Sequence, residues 1–162
     1  MVNMILASDK NGLIGDGDKL PWYIRSELDY FKRMTLGGVC VMGRKTFESL
    51  PKPLKDRTNL VLTRGSLKTE HLLYNSQGYD IQTTSILDFI QERYPSKTIW
   101  VIGGKSVYEQ FLEKGVVDYI YHSVVDGEYS GNVYMKDFTK GYELVSTFRP
   151  SPQFINYKYK KV

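Results

Sequence analysis

The sequence has few of the residues that build cross-linked or metal-held scaffolds. Its 162 residues include one cysteine, Cys40, and two histidines, His71 and His122. A single cysteine excludes a disulfide within the chain, and the spacing of these residues matches no zinc site. We therefore expect no resident metal, and we expect Cys40 to be a buried, reduced thiol within an apolar strand.

Long apolar runs, internal repeats and blocks of like charge are also missing. No run approaches the roughly 20 apolar residues of a membrane-spanning helix, and the N-terminus lacks the basic start of a signal peptide. We therefore expect a cytoplasmic protein. The net charge of +4 is spread along the chain, which suits anionic small molecules at least as well as nucleic acid. The length and the 41% share of hydrophobic residues favour one domain, residues 1–162.

The catalytic motifs of several enzyme classes are absent too. The sequence contains neither the G-x-S-x-G nucleophile elbow nor the G-x-x-x-x-G-K-S/T phosphate loop, and it lacks the G-x-G-x-x-G dinucleotide fingerprint. These absences disfavour acyl-transfer enzymes, P-loop kinases and the usual dinucleotide-binding fold.

Short apolar runs alternate with helical patterns along the chain. We predict strands at 2–8, 39–42, 59–63, 79–82, 98–102, 119–125, 143–148 and 154–160. We predict helices at 24–35, through Phe47 and Leu50, at 86–94 and at 107–113. This alternation indicates an α/β protein with a mostly parallel sheet and an antiparallel end.

The segment 20–35 carries the clearest candidate for chemistry. Its apolar positions share one face of the predicted helix: Ile24, Leu28, Phe31 and Thr35. Glu27 lies roughly 70° from the centre of that face, with Trp22 nearby. Burial there would raise the pKa of the Glu27 carboxyl unless a cationic or hydrogen-bonding partner compensates. The alternative is a glutamate at the helix edge that reaches water.

Two predicted strands lead directly into glycine and then into a helix. The first unit is Gly43-Arg44-Lys45-Thr46 and the second is Gly103-Gly104-Lys105-Ser106. Free N–H groups at a helix start attract phosphate, although a solvated helix start is the other interpretation. Residues 9–19 hold three glycines and three aspartates, so we predict a mobile loop, either a lid or a plain surface loop. Together these features suit an enzyme whose cofactor carries the reaction.

The order and spacing of several short motifs resemble the dihydrofolate reductase family over the length of the chain. The motifs are Ile14-Gly15, Leu20-Pro21-Trp22, Glu27, Phe31-Lys32, Thr35, Met42-Gly43-Arg44-Lys45-Thr46, Arg57, Ile102-Gly103-Gly104 and Val107-Tyr108. The resemblance implies a three-layer single domain: a mostly parallel sheet of eight strands, with an antiparallel C-terminal strand, flanked by four helices. It also implies NADPH-dependent reduction of 7,8-dihydrofolate to 5,6,7,8-tetrahydrofolate, supporting one-carbon metabolism and thymidylate synthesis. A cytoplasmic monomer that antifolates inhibit is the family's usual form.

The same resemblance implies roles for residues at the substrate site. Glu27 would hold the amino group and a ring nitrogen of the pterin, Trp22 would order a water beside it, and Leu20 would belong to the lid. The proton for the pterin would arrive through water. The pterin and benzoyl groups would lie against Ile5, Ala7, Leu28, Phe31, Leu50, Leu54 and Ile102. Arg57 would bind the carboxylate of the glutamate tail, and Lys32 and Lys52 would add attraction.

The resemblance also implies a cofactor site. The nicotinamide would be flanked by Ala7, Ile14, Gly15, Lys19, Leu20 and Ile102. The phosphates of NADPH would be surrounded by Gly43, Arg44, Lys45, Thr46, Leu62, Thr63 and Arg64. The pyrophosphate and the nicotinamide side would contact Gly103, Gly104, Lys105, Ser106, Val107 and Tyr108, and the family often has a cis peptide between these two glycines.

The sequence departs from the family pattern at two positions. Tyr121 stands where many members have a threonine that hydrogen-bonds to the pterin-holding acid, so either the tyrosine hydroxyl replaces it or the link is lost. Leu20 stands where some members have methionine.

Two other functions remain open. A related reductase acting on a pyrimidine of riboflavin synthesis would not need Glu27 and Arg57. A nucleotide- or RNA-binding module would be expected to have a clustered basic surface.

Overall fold

The computed structural model of the chain describes residues 1–17, 19–62 and 83–162. In this part of the chain the predicted apolar runs form strands and the amphipathic segments form helices. The strands are β1 Val2–Ser8, β2 Leu13–Gly15, β3 Val39–Gly43, β4 Thr58–Leu62, β5 Ile99–Gly103, β6 Tyr119–Val125, β7 Val133–Tyr134, β8 Tyr142–Ser151 and β9 Phe154–Lys161. The helices are α1 Arg25–Thr35, α2 Arg44–Ser49, α3 Thr83–Arg93 and α4 Lys105–Glu113.

The main sheet has the strand order β4-β3-β5-β1-β6-β9-β8. The pairings from β4 to β6 are all parallel, whereas β9 pairs antiparallel with both β6 and β8. A mostly parallel sheet with an antiparallel C-terminal strand is therefore confirmed. Seven of the eight expected strands lie in the described ranges. The short strand predicted at 79–82 lies outside them, as does the loop predicted at 67–78.

Apolar side chains cover both faces of this sheet, which gives three layers. On one face, Trp22, Ile24 and Tyr30 from the α1 region pack with Cys40 and Trp100 of the strands. The opposite face packs against α3 and α4 and contains Ile86, Ile90, Val107, Phe111 and Ile120. Strands buried on both faces read as continuous apolar runs rather than as alternating ones, which is why β1 and β3 are evident in the sequence.

The predicted loop at 9–19 contains a strand that the sequence analysis missed. Residues Leu13–Gly15 form β2, which pairs antiparallel with β7, and Leu13 is fully buried. The high glycine and aspartate content masked this strand, because its stability comes from pairing with residues far along the chain. The mobile-loop prediction is therefore wrong for residues 13–15, which are anchored to the 133–134 segment.

Helix α1 forms as predicted, but its buried face is rotated from the expected one. Leu28, placed on the apolar stripe, is 36% exposed, whereas Glu27, placed at its margin, is only 7% exposed. Tyr30 and Thr35 are buried alongside Glu27. The helix therefore turns a carboxylate toward the sheet and leaves a leucine at the surface. In the described residues, no helix combines the length and the apolar character needed to cross a membrane.

Candidate active site

The carboxyl ends of the parallel strands meet at one edge of the sheet. Strands β1, β3, β4 and β5 end there at Ser8, Gly43, Leu62 and Gly103. Ligands of open α/β sheets bind outside the carboxyl ends of the strands. This edge therefore brings the segment after β1 next to the unit after β5, and places the unit after β3 on the other side of β5.

The two glycine turns pack closely against each other's helices. The Gly103–Gly104 peptide is cis, as the family resemblance implied. A Cβ atom on Gly43 would lie 3.3 Å from Cγ2 of Val107, and one on Gly104 would lie 3.5 Å from Oγ1 of Thr46. Because glycine occupies these positions, the two turns pack closely together, and we call the backbone surface that they form at this edge the cradle.

The cations around this cradle are exposed and are not locked in the fold. Arg44 makes an ion pair with Glu48 on the same helix, with 3.2 Å between Nε and Oε1, and both side chains are more than half exposed. Lys45 and Lys105 are exposed as well. A surface ion pair of this kind is worth about 0–1 kcal/mol, so it competes weakly with a phosphate. The predicted contacts Thr63 and Arg64 lie outside the described residues.

Glu27 is a buried carboxyl group on helix α1. Burial raises its pKa to about 7, and among the described residues no hydrogen bond or ion pair to its carboxylate compensates. The hydroxyl of Tyr108 donates to the carbonyl of Ile5 at 2.8 Å, and burial raises its pKa, with a further contribution from the charge of Glu27. Helix α1, strand β1 and helix α4 therefore converge around one desolvated acid.

Trp22 presents a second unusual polar group in the same apolar cluster. The side chain is 7% exposed, and its indole Nε1 is buried without a hydrogen-bond partner in the described part of the chain. A buried donor without a partner carries a free-energy cost of about 1–3 kcal/mol. Such a group suits a water or a ligand atom at this position.

Tyr121 does not take the place of the family's threonine. It pairs with Ile5 across β1 and β6, and its ring packs 5.3 Å from that of Trp100. The ammonium of Lys158 lies 5.3 Å from the same ring. No hydrogen bond joins Tyr121 to Glu27 among the described residues, so the hydroxyl link is lost.

The predicted apolar substrate residues surround this cluster. Ile5 is buried, and Leu28 is exposed at the helix surface. The others are partly buried and pack against the Trp22 cluster: Ala7, Phe31, Leu50, Leu54 and Ile102. This wall of half-buried apolar side chains provides surface for the faces of an aromatic ligand.

Arg57 is held at the end of helix α1. Its Nη1 donates to Oγ1 of Thr35 at 3.2 Å and its Nε donates to the carbonyl of Lys55 at 2.9 Å. The same guanidinium lies near Cys40, whose pKa is raised by burial to about 11. The remaining guanidinium donors are oriented and available for a carboxylate. Lys32 and Lys52 are exposed, as general electrostatic attraction requires.

The segment after β1 is tied down more firmly than the sequence indicated. Ile14 is half-buried and Gly15 is buried, whereas Lys19 and Leu20 are exposed. The structure adds two residues that the sequence analysis assigned no role, Asp9 and Tyr129. Asp9 precedes an Asn-Gly turn, which is a usable sequence signal for a side-chain-capped turn. No local pattern marks Tyr129.

Comparisons with known proteins agree with this geometry. A family model described as dihydrofolate reductase matches residues 1–160. The chain is 33% identical over 147 residues to dihydrofolate reductase of Staphylococcus aureus strain Mu50, covering 90% of this chain and 85% of the relative. It is 36% identical over 149 residues to dihydrofolate reductase of Mycoplasma pneumoniae, covering 89% of this chain and 88% of that relative.

The fold of the chain also agrees with that of a solved dihydrofolate reductase. The solved dihydrofolate reductase from Enterococcus faecalis, complexed with NADP(H) and RAB-propyl, superposes with a TM-score of 0.82 at 25% identity. The superposition covers 99% of this chain and 96% of that one. Because the family model spans nearly the whole chain and relatives exceed 30% identity over most of it, the chain belongs to the dihydrofolate reductase family.

Proposed function

We propose that this protein reduces 7,8-dihydrofolate to tetrahydrofolate with NADPH, using Glu27 to hold the pterin. The observation that carries the proposal is the desolvated Glu27 carboxyl on α1, close enough to interact with Tyr108, which packs against Gly103 of the second glycine turn. A nucleotide-binding module has no need of such an acid. An oxidoreductase that must orient a heterocycle with several N–H groups does need it.

Glu27 binds and orients the substrate. The pterin's amino group and ring nitrogen are donors to its carboxylate, in the paired geometry that carboxylates adopt with fork-shaped donors. Hydrogen bonds to the charged form lower a carboxyl pKa, which offsets the desolvation that raises that of Glu27 to about 7. A ligand with these donors is therefore held more strongly here than at a solvated carboxylate.

Trp22 orders the water that delivers the proton. Its buried indole N–H has no partner among the described side chains, so it donates to a water beside Glu27. The water carries the proton to a second pterin ring nitrogen, the one that is protonated in the reduction, which the carboxylate cannot reach directly. The half-buried apolar wall around Phe31 and Leu50 excludes other water from the ring.

The cradle formed by Gly43, Gly103 and Gly104 fits a dinucleotide. Cβ atoms on Gly43 and Gly104 would lie 3.3 Å and 3.5 Å from neighbouring side chains, so glycine allows the two turns to pack closely together. NADPH supplies the hydride when it is bound. Arg44, Lys45 and Lys105 attract its phosphates from the exposed rim, with Thr63 and Arg64 as further proposed contacts. Other proposed contacts of the cofactor are Ala7, Ile14, Gly15, Lys19, Leu20, Thr46, Leu62, Ile102, Ser106, Val107 and Tyr108.

Arg57 binds the carboxylate of the glutamate tail. The Thr35 hydroxyl and the Lys55 carbonyl fix the guanidinium before ligand arrives, so little side-chain entropy is lost on binding.

We also propose that residues 1–162 form a single domain that acts as a cytoplasmic monomer. The single buried thiol suits a reducing compartment.

The experiment follows NADPH oxidation by the purified protein, with and without dihydrofolate. Oxidation that requires dihydrofolate, is much slower with NADH and is blocked by an antifolate supports the proposal. NADPH binding without dihydrofolate-dependent oxidation would reject it, and activity on a riboflavin-pathway pyrimidine would then support the related reductase.

A matched pair of variants tests the role of Glu27. Glu27→Gln should lower turnover strongly while NADPH binding stays near that of the parent, because the residue faces the pterin. Asp29→Asn is the control, since Asp29 lies on the exposed side of the same helix, with its carboxylate 3.9 Å from Arg25. If Glu27→Gln turned over as fast as the Asp29→Asn control and the parent, Glu27 would have no role in the reaction.

A further inference from the structure

Tyr129, on the connection between β6 and β7, packs against Trp22 and also contacts its own loop. Its ring lies 5.4 Å from the Trp22 ring at an interplanar angle of 58°. Its hydroxyl donates to the carbonyl of Asp126 at 3.3 Å. A Cβ on Gly127 would lie 3.3 Å from the ring, and Gly127 has a φ of +100°, so glycine is required for the ring to fold back.

The backbone of Tyr129 is held by Asp9, at the end of β1. The Tyr129 N–H donates to Oδ2 of Asp9 at 3.4 Å. The other carboxylate oxygen accepts from the N–H groups of Asn11 and Leu13 at 2.8 and 3.0 Å. Asp9 is 2% exposed, so these bonds satisfy a buried charge, and removing one is costly.

The side chain before Asp9 adds a further tie to the sheet. The Ser8 hydroxyl donates to the Asp9 carbonyl at 2.9 Å and lies 2.7 Å from Nε2 of His122 on β6. The end of β1, the start of the 9–15 segment and the 126–131 segment are therefore joined at Asp9. Tyr129 extends this junction to the edge of the Trp22 ring.

We propose that Asp9 and Tyr129 are positioning residues for Trp22: Asp9 fixes the Tyr129 backbone, and the Tyr129 ring holds the indole in its buried orientation. This inference rests on the proposed function, in which the Trp22 N–H orders the water beside Glu27. Neither residue touches the substrate. Their effect on the reaction passes through the orientation of one indole ring.

The variants separate the two parts of the junction. Tyr129→Ala removes the ring, and Tyr129→Phe keeps the ring but removes the hydroxyl bond. In Asp9→Asn the amide oxygen still accepts from Asn11 and Leu13, while the amide NH2 group faces the Tyr129 N–H. The control is Lys10→Ala with Glu128→Ala, because this exposed ion pair, 2.9 Å between Nζ and Oε1, joins the same two segments away from Trp22.

Two readouts distinguish positioning from a general contribution to stability. The first is tryptophan emission, which is independent of activity: the difference from the parent reports Trp22, because the Tyr129 ring contacts Trp22 whereas Trp100 packs against Tyr121. The second is the single-turnover rate of hydride transfer at saturating NADPH, measured together with the Kd for NADPH. If the parent itself does not oxidise NADPH with dihydrofolate, the proposed function fails, while the emission readout still tests the positioning of Trp22.

In Tyr129→Ala we expect emission at longer wavelength and a hydride-transfer rate lower by on the order of tenfold, since small misplacements of reacting groups carry penalties of this size. Asp9→Asn should change both readouts in the same direction, whereas Tyr129→Phe and the Lys10/Glu128 control should resemble the parent. Unchanged emission in Tyr129→Ala would overturn the proposal. A lowered melting temperature with the parent's rate per folded molecule would overturn it too.

Discussion

Replacing the Glu27 carboxyl with an amide should make the protein more stable at neutral pH and leave it almost unchanged in acid. Burial raises the pKa of Glu27 from 4.5 to about 7. Between these values the folded protein binds a proton that the unfolded chain does not, so stability falls as pH rises through this window. Each pKa unit corresponds to about 1.4 kcal/mol, which gives about 3 kcal/mol for the full window.

Urea unfolding of the parent and of Glu27→Gln, at pH values from about 4.5 to 8, measures this quantity. The free energy of unfolding of the parent minus that of the variant should fall by about 3 kcal/mol across the series, because other titrating groups cancel in the difference. Asp29→Asn serves as the exposed-carboxylate comparison. A difference between parent and Glu27→Gln that does not change with pH would refute the claim that Glu27 is desolvated and uncompensated.

Three further substitutions test other parts of the site. Arg57→Lys should raise the KM for dihydrofolate on the order of tenfold, with the KM for NADPH unchanged, because a charge-assisted hydrogen bond of about 1.5 kcal/mol is lost. A larger change in the KM for NADPH than in the KM for dihydrofolate would show that Arg57 does not bind the glutamate tail. Gly103→Ala should lower the free energy of unfolding by about 1–3 kcal/mol, since its φ is +118° and the new Cβ would lie 3.2 Å from the Tyr108 ring. Urea unfolding checks this, and parent-like stability would contradict it. NADPH differs from NADH by a 2′-phosphate. Arg44→Ala should therefore reduce the preference for NADPH over NADH, measured by the ratio of the two kcat/KM values. An unchanged ratio would exclude a contact between Arg44 and this 2′-phosphate.

Local sequence pattern was sufficient for most of the main sheet. Strands such as β1 and β6 are continuous or near-continuous apolar runs, and the structure gives them the predicted bounds. The glycine turns after β3 and β5 were also evident, because glycine between a strand and a helix is a strong local signal. Their meeting at one sheet edge followed from parallel pairing alone.

Features that depend on distant partners were not predictable in this way. Strand β2 exists because Leu13 pairs with Tyr134, and neither segment has a strand pattern of its own. The rotation of α1 that buries Glu27 and exposes Leu28 is set by packing against the sheet, which a helical wheel cannot define. The direction of the Tyr121 ring depends on Trp100 and Lys158, which come from two other strands.

The single thiol, on strand β3 inside the fold, gives the chain a built-in reporter of its own unfolding. Cys40 is completely inaccessible in the native fold, and burial raises its pKa to about 11. Thiolate, the species that attacks labelling reagents, is therefore both scarce and shielded until β3 separates from its neighbours. The labelling rate in dilute denaturant then counts opening events of the sheet, and added ligand should slow it in proportion to occupancy of the site.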